Sequence, residues 1–244
     1  MLEVRGLAKA YGGIEAVRGV SFTVARGEML AMIGPNGAGK STCFNMLGGQ
    51  VRPDAGTVRL DGQGITGLPP RAIWRHGVGR TFQVTAAFGS MLVRENVQVA
   101  LIAAAGLTSR AWTPATRRLR PEAEALLAQV GLLDQAERGA AVLAYGDLKR
   151  LELAVALAGR PRLLLMDEPT AGMAPSERTG LMGLVRRLAT EAGLAVLFTE
   201  HDMDVVFGLA DRVLVLDHGA LLAEGSPAAI RAHPGVRAAY LGEG

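Results

Sequence analysis

Gly34-Pro35-Asn36-Gly37-Ala38-Gly39-Lys40-Ser41-Thr42 is the stretch on which the fold depends. It fits the pattern G-x-x-x-x-G-K-[ST], which places a glycine-rich loop between a strand and a helix. The apolar run 29–33 before the loop predicts a buried strand, and residues 41–47 after it predict the start of a helix. Glycines let a loop wrap a polyanion, and the helix N-terminus adds about half a positive charge. The loop is therefore predicted to bind phosphate, whereas a chance glycine-rich turn needs neither the lysine nor the hydroxyl.

A second motif lies far along the chain and ends in two carboxylates. Residues 163–166 form an uninterrupted apolar run followed by Asp167 and Glu168, as expected for a strand buried on both faces. In a nucleotide site, Lys40 would bridge the β- and γ-phosphates and the Ser41 hydroxyl would ligate Mg²⁺. Asp167 would reach the Mg²⁺ shell through a water molecule, and Glu168 would act as general base on the attacking water. The alternative is a pair of surface acids after a strand.

Composition limits the class of protein. The 244 residues are 49% hydrophobic and carry a net charge of +3, which supports a packed core and argues against disorder. There is no block of five or more basic residues, so the sequence does not favour nucleic acid as the ligand. The longest apolar run, 99–107, is too short to span a bilayer, and residues 1–5 do not begin a signal peptide. The lone Cys43 fits a reducing compartment, so we expect the cytoplasm and a packing role for this residue.

The remaining segments predict a layered α/β protein. Alternating apolar positions over 2–24 predict an antiparallel β layer, and strands are expected at 56–60, 78–83, 162–168 and 194–199. A hairpin is expected from 211–217 and 220–224, and short helices from 71–75, 227–231 and 235–241. The region 84–159 is predicted to be a helical subdomain, with helices over 91–105, 121–130 and 148–157. The fold class is thus an α/β P-loop NTPase (RecA-like) core, 1–83 and 160–244, with an inserted helical subdomain, all forming one domain.

Several side chains are ambiguous on the sequence alone. Tyr11 could stack on adenine or be an exposed loop tyrosine. Gln83 could hold a Mg²⁺ or water ligand, or it could be a surface amide. His201 follows a strand and could be either structural or catalytic. Asp147 could be the N-cap of a helix or an acid in its first turn. The arginines 117, 118 and 120 form either a solvated helix face or a contact with lipid headgroups.

Together these motifs resemble the ATP-binding subunit of an ABC transporter over nearly the whole chain. Residues 34–41 correspond to Walker A and 163–167 to Walker B. Tyr11 stands where the family has its adenine-stacking aromatic, Gln83 where it has the Q-loop, and His201 where it has the switch histidine. The signature segment, which here is Leu143 followed by Ala144, Tyr145, Gly146 and Asp147, stands where the family has LSGGQ. The family order of motifs is specific, because a Walker A alone occurs in many NTPases.

Within that family, 80–83, 200–203 and 223–242 are similar to the ATPases of branched-chain amino acid uptake systems. Related urea and short-amide importers share much of this. The resemblance implies ATP and Mg²⁺ as ligands, with Gln83, Glu168 and His201 catalytic. It also implies two ATPase subunits stacked head to tail on transmembrane permease subunits, with a solute-binding protein as an indirect partner. The location would then be peripheral, on the cytoplasmic face of the membrane.

Four departures from the family pattern concern contacts across that dimer. Ala144 replaces a serine that would donate to the γ-phosphate, and Tyr145 replaces the first glycine of the signature, a change also found in this subgroup. Asp147 replaces a glutamine, and Ala174 stands where the D-loop has aspartate or asparagine. They favour pairing with a different ATPase subunit, while a homodimer stays open. Rival classes are an ABC ATPase of DNA repair or translation, which would carry coiled-coil insertions or two cassettes, and a P-loop kinase or GTPase, which would lack the signature segment.

Overall fold

The computed structural model describes residues 1–81, 87–107 and 119–238, and their strands form two sheets. The strands are β1 Leu2–Tyr11, β2 Ile14–Val24, β3 Met29–Ile33, β4 Ala55–Leu60, β5 Gln63–Gly64, β6 Val78–Thr81, β7 Leu163–Asp167, β8 Ala195–Thr199, β9 Arg212–Asp217 and β10 Ala220–Gly225. The helices are α1 Lys40–Leu47, α2 Pro70–Arg75, α3 Val93–Ala104, α4 Arg120–Val130, α5 Tyr145–Leu157, α6 Pro175–Ala192, α7 Met203–Leu209, α8 Pro227–Ala232 and the single turn α9 Pro234–Val236.

The smaller sheet is the antiparallel layer that the alternating apolar residues predict. Its order is β2-β1-β4-β5, and Val4 pairs with Phe22 on one side and with Val58 on the other. These side chains are buried, while Arg5 beside them is exposed. The period of two thus turns one face of the layer toward the core.

The larger sheet has the order β10-β9-β3-β8-β7-β6. The pairs formed by β3, β6, β7, β8 and β9 among themselves are parallel, and β10 closes the sheet as an antiparallel edge. The carboxyl ends of β3, β7 and β8 therefore meet at one edge. In open parallel sheets this edge is where ligands bind.

Both faces of the larger sheet are covered, which explains its uninterrupted apolar strands. Along β3, Met29 and Ile33 join the core under the helices, whereas Leu30 and Met32 join the core between the two sheets. Helix α1 lies in that second core, and burial raises the pKa of its Cys43 thiol to about 12. Cys43 is therefore a protonated packing group, as predicted.

Between β6 and β7 the described residues form helices and turns, with one isolated bridge between Leu92 and Gly139. Two predicted boundaries here are wrong. Helix α3 begins at Val93 and not at residue 91, and α5 begins at Tyr145 and not at residue 148. The N-cap of α5 is Ala144, whose backbone is extended, so Asp147 is the first-turn acid and not the N-cap.

The chain end agrees with the prediction as far as it is described. The last predicted helix, 235–241, is present as the turn α9 followed by helical residues 237–238, and residues 239–241 lie outside the described residues. Two arginines of the basic cluster, 117 and 118, lie outside them too. Arg120 forms ion pairs with Glu124 and Glu137, which favours the solvated-face interpretation. Among the described residues, no helix is long and apolar enough to cross a membrane.

Candidate nucleotide-binding site

The loop between β3 and α1 requires glycine at both fixed positions. Gly34 has φ 148°, and a Cβ there would lie 2.1 Å from the carbonyl oxygen of Leu216. Gly39 has φ 99°, and its Cβ would lie 2.4 Å from the carbonyl oxygen of Ala16. The loop is thus pressed between β9 and β2, and only glycine permits that approach.

Helix α1 presents its amino end to the same loop. Its N-cap is Gly39, which has no side chain to cap the helix, and its first turn contains no acid. The orphan N–H groups and the positive end of the helix dipole are therefore available to an anion. Ser41, the predicted Mg²⁺ ligand, is exposed in this first turn, and Thr42 beside it is half-buried.

Lys40 lies inside the loop. Its side chain is buried, and Nζ donates to the carbonyl oxygens of Gly34 at 2.6 Å and Pro35 at 3.0 Å. Burial lowers the pKa of Lys40, and the nearby carboxylates of Glu168 and Asp167 partly offset this. The structure therefore brings the lysine of Walker A and the acids of Walker B into one electrostatic site.

Asp167 ends β7 with both carboxylate oxygens near partners. Its Oδ1 accepts a hydrogen bond from the Thr199 hydroxyl at 2.8 Å, and its Oδ2 lies 3.8 Å from Nη2 of Arg80. Arg80 is also bonded to the end of α1, through the carbonyl oxygen of Phe44 at 3.2 Å and Oδ1 of Asn45 at 2.9 Å. Burial lowers the pKa of Arg80, with Asp167 opposing that effect.

Glu168 and His201 are paired side by side. The carboxylate oxygen Oε1 of Glu168 lies 2.9 Å from Nε2 of His201. Glu168 has the left-handed φ of 49°, and its N–H donates to the Thr199 hydroxyl at 3.0 Å. Left-handed backbone at a non-glycine residue costs about 1–3 kcal/mol and is concentrated at functional sites.

A metal ion fits this edge through few protein ligands. Among the described residues there is no cluster of three or more histidines, cysteines or acids that could hold a metal alone. Mg²⁺ characteristically uses one or two protein groups together with phosphates and waters. A hydroxyl at Ser41 and a carboxylate at Asp167, beside a loop shaped for phosphate, match that donor set.

The signature residues lie at the start of α5, against the segment that follows β7. Tyr145 is 43% exposed, and its ring lies against Gly172, while Gly146 packs against the Glu177 carboxylate. The Asp147 carboxylate accepts a hydrogen bond from Nε2 of Gln135 at 2.6 Å. The contacts of Tyr145 and Gly146 join the signature to the segment after β7, and the exposed part of Tyr145 is available to another molecule.

Two predicted site residues stand apart from this geometry. Tyr11 ends β1, is 47% exposed, and has Nζ of Lys9 5.5 Å from its ring centre. This exposure leaves the stacking interpretation open to test. Gln83 lies outside the described residues.

Sequence reasoning missed three side chains that organise the site. Thr199 and Arg80 contact Asp167, as described above. Buried Glu200 accepts from both the N–H and the hydroxyl of Thr170, at 2.8 and 2.7 Å, and so supports the turn after Glu168. The available signal was a polar residue at the end of an apolar strand, which applies to Thr199 at the end of β8.

The chain is similar to two known families and, over its full length, to curated transport proteins. The family described as "ABC transporter" matches residues 17–171, and the one described as "Branched-chain amino acid ATP-binding cassette transporter" matches residues 220–244. The high-affinity branched-chain amino acid transport ATP-binding protein BraF of Pseudomonas aeruginosa is 44% identical, covering 100% of this chain and 98% of its own. Its counterpart LivG of Escherichia coli is 42% identical with the same coverage.

Solved structures agree with these relatives. A nucleotide-free ATP-binding cassette from an ABC transporter superposes with a TM-score of 0.89 at 30% identity, covering 100% of this chain and 99% of the other. A dimeric cassette bound to ADP and phosphate, in a post-hydrolysis state, gives a TM-score of 0.79 at 25% identity, with 93% and 99% covered.

Proposed function

This chain belongs to the ABC transporter family of ATP-binding proteins, and we propose that it is the ATP-hydrolysing subunit of an importer for branched-chain amino acids. Support for the solute comes from the full-length similarity to two transport ATPases named for it, and from the matching carboxyl-terminal family. The single observation that carries the chemistry is that the Lys40 loop after β3, Glu168 after β7 and His201 after β8 lie at the same edge of the larger sheet. Binding and hydrolysis of ATP follow from that arrangement.

ATP would be held by its phosphates in the loop 34–42. The backbone N–H groups and the end of α1 would receive the phosphate oxygens, and the Lys40 ammonium would exchange the carbonyls of Gly34 and Pro35 for the β- and γ-phosphates. Mg²⁺, when bound to Ser41 and, through water, to Asp167, supplies charge neutralisation on those phosphates. We assign Tyr11 to the adenine ring and Gln83 to water or Mg²⁺ near the γ-phosphate.

Hydrolysis would use Glu168 as the general base. Its carboxylate takes a proton from water as the water oxygen attacks the γ-phosphorus, and the bond from that phosphorus to the β–γ bridging oxygen breaks to release ADP. His201, whose Nε2 lies 2.9 Å from Oε1 of Glu168, would turn this nitrogen from the carboxylate to the γ-phosphate when ATP is bound, and would donate its one N–H there. The Glu168→Gln variant should therefore bind ATP while its turnover falls about 10²–10⁴-fold; unchanged turnover would refute the assignment.

The family works as dimers on membrane permeases, and we propose an unlike ATPase subunit as the partner of this chain. Ala144 and Ala174 are the N-caps of α5 and α6, and neither has a side chain that could cap its helix or reach a nucleotide. Asp147, an acid in the signature, is bonded to Gln135. In such a dimer, the nucleotide site that is completed by the signature segment of this chain would hold ATP weakly. The other site, which is built on Lys40 and Glu168 of this chain, would hydrolyse ATP. A homodimer would place the weak face at both sites.

The membrane partner would dock on the helical subdomain, 84–159. A groove of about 620 Å³ lies between α2, α3 and α5, and its wall includes Trp74, Ala100, Val155 and Arg80. A mainly apolar groove with a few polar groups suits a short helix of a permease subunit. The chain would then sit peripherally on the cytoplasmic side of the membrane, with the solute chosen by the permease and its binding protein.

Two measurements test this function. Magnesium-dependent ATP binding and hydrolysis by the purified chain test the chemistry. Co-purification with the permease, followed by uptake of labelled leucine against urea into vesicles, tests the solute. Uptake of urea alone would replace the amino acid with the short-amide class, and ATPase activity that rises only with nucleic acid would favour the non-transport class.

A further inference from the structure

Thr199 is the last residue of β8 and the register partner of Asp167 in the parallel pair β7–β8. It is 1% exposed, although its side chain is polar. The other four residues of β8 are apolar, so the hydroxyl is out of place in a strand that otherwise only packs. A buried hydroxyl needs hydrogen-bond partners, and here these partners are the two acids of the site.

The direction of each hydrogen bond follows from chemistry. An ionised carboxylate can only accept, so the Thr199 hydroxyl donates its one proton to Oδ1 of Asp167, at 2.8 Å. Its lone pairs are then left to accept, and the N–H of Glu168 donates to it at 3.0 Å. One oxygen atom thus connects the side chain of the first acid with the backbone of the second.

These two hydrogen bonds fix the side-chain rotamer of Asp167 and the backbone conformation of Glu168, and the reaction depends on both. The bond to Oδ1 sets the rotamer of Asp167 and turns Oδ2 toward Arg80, 3.8 Å away. The bond from the N–H holds the left-handed backbone of Glu168 (φ 49°), from which its carboxylate reaches His201. Without the hydroxyl, both the Asp167 rotamer and the Glu168 backbone lose a partner.

We propose that Thr199 is a positioning residue for ATP hydrolysis, whose hydroxyl orients Asp167 toward the metal–phosphate group and Glu168 toward water. The proposal rests on the proposed ATPase function. It assigns the role to the hydroxyl and not to the bulk of the side chain. Valine keeps the shape of the side chain and suits a strand at least as well, so Thr199→Val tests the hydroxyl and not the packing of the side chain.

The test compares Thr199→Val with Thr199→Ser, which removes a methyl group and keeps the hydroxyl. We measure the ATP dissociation constant with Mg²⁺ and with EDTA, the turnover, and the melting temperature of the free protein. In Thr199→Val, turnover should fall about 10- to 100-fold, as expected for losing a hydrogen bond to a charged group. The tightening of ATP binding by Mg²⁺ should shrink about threefold or more, while affinity in EDTA stays within about twofold. Thr199→Ser should restore both.

A matched control separates this role from the general loss of a hydroxyl that bonds the backbone. The Thr66 hydroxyl accepts from the N–H of Val58 at 2.7 Å and donates to its carbonyl oxygen at 3.3 Å, beside the smaller sheet. Thr66→Val should lower the melting temperature and keep the Mg²⁺-dependent tightening. If Thr199→Val does not fold, Thr199→Ala against Thr199→Ser provides the same comparison.

The proposal is overturned if Thr199→Val keeps both turnover and the Mg²⁺ effect, or if Thr199→Ser is as impaired as Thr199→Val. That failure is distinct from failure of the proposed function. In the latter case the unmodified chain itself would show no Mg²⁺-dependent ATP binding.

Discussion

The imidazole Nε2 of His201 lies 2.9 Å from Oε1 of Glu168, so the residues that end β7 and follow β8 form one hydrogen-bonded pair. Half of the His201 side chain is exposed, whereas Glu168 is largely covered. The pair therefore presents its histidine side to an incoming molecule and keeps the carboxylate inside. That arrangement suits a base that must be held in place while the histidine contacts the nucleotide.

His201→Ala should lower turnover about 10- to 100-fold and change the affinity for ATP by less than about threefold, because the histidine acts in the transition state. Steady-state hydrolysis and equilibrium binding measure the two effects. The exposed His218→Ala is the control, since the partner of His218 is Asp217 and not Glu168. A His201→Ala variant that hydrolyses ATP at the unmodified rate would exclude the pair from the chemistry.

Arg80 joins the docking groove to the metal side of the site. It lines the groove, bonds to the end of α1, and lies near Asp167. Arg80→Lys keeps the charge and loses the fork that spans several acceptors. We expect a lower melting temperature and weaker Mg²⁺-dependent ATP binding, with a coupling of about 0.5–3 kcal/mol to Asp167→Asn in a double-mutant cycle.

The control for Arg80 is Arg71→Lys, which makes the same change at an exposed position of the same groove. Arg71→Lys should leave Mg²⁺-dependent binding unaltered. Additive effects of Arg80→Lys and Asp167→Asn would show that the 3.8 Å approach has no energetic consequence.

Ala144 is the N-cap of α5 and accepts no hydrogen bond through its side chain. Ala144→Ser should stabilise the helix, and the chain, by about 0.5–2 kcal/mol, because serine can accept from an orphan N–H. If the signature face limits a homodimer, the same variant should also raise the ATPase rate of the purified chain. Ala128→Ser, on the exposed face of α4, is the control and should do neither. Strong cooperative hydrolysis by the unmodified chain, with no gain from Ala144→Ser, would count against an unlike partner.

Asp211 ties together β3, β9 and α6. Its carboxylate accepts from both Nη atoms of Arg186, at 2.6 and 2.7 Å, and from the N–H of Met29 at 2.8 Å. Chiefly through the Arg186 bonds, its pKa is lowered. A carboxyl whose folded pKa is depressed stabilises the fold above its unfolded pKa, about 3.9, and this stabilisation is lost as pH falls through the folded pKa.

Asp211→Asn should therefore destabilise the chain at pH 7 by about 0.5–1 kcal/mol, a modest figure because the pair is partly exposed. The difference from the unmodified chain should shrink as pH falls below about 4. Denaturant unfolding at a series of pH values measures it. A difference that is constant with pH would assign the effect to packing and not to charge.

The sequence contains most of the fold because its signals are local. The glycines of 34–39, the alternation in 2–24 and the apolar run 163–166 each depend on neighbours within a few residues, and each predicted element is present. The predicted start of α5 is wrong because glycine and aspartate at 146 and 147 resemble residues that precede a helix. In the structure the helix already begins at Tyr145, so both residues lie in its first turn.

The parts that the sequence could not predict depend on register between distant segments. Thr199 meets Asp167 only because β8 pairs with β7 at that register, 32 positions away. Arg80 reaches Asn45 across 35 positions, and Asp147 is bonded to Gln135 through the folding of the helical region. No spacing rule specifies such contacts, since they arise only after the sheet and helices are assembled.

Equilibrium titration of ATP into the unmodified chain and into Lys40→Ala, each with Mg²⁺ and with EDTA, tests the central claim most directly. The Lys40 ammonium lies in the loop beside the two acids, so its removal should weaken Mg²⁺–ATP binding at least about tenfold, the loss of more than one charged hydrogen bond. The unmodified chain should bind ATP more tightly with Mg²⁺ than without it. Equal affinities of the two proteins, or an affinity of the unmodified chain that ignores Mg²⁺, would contradict the account.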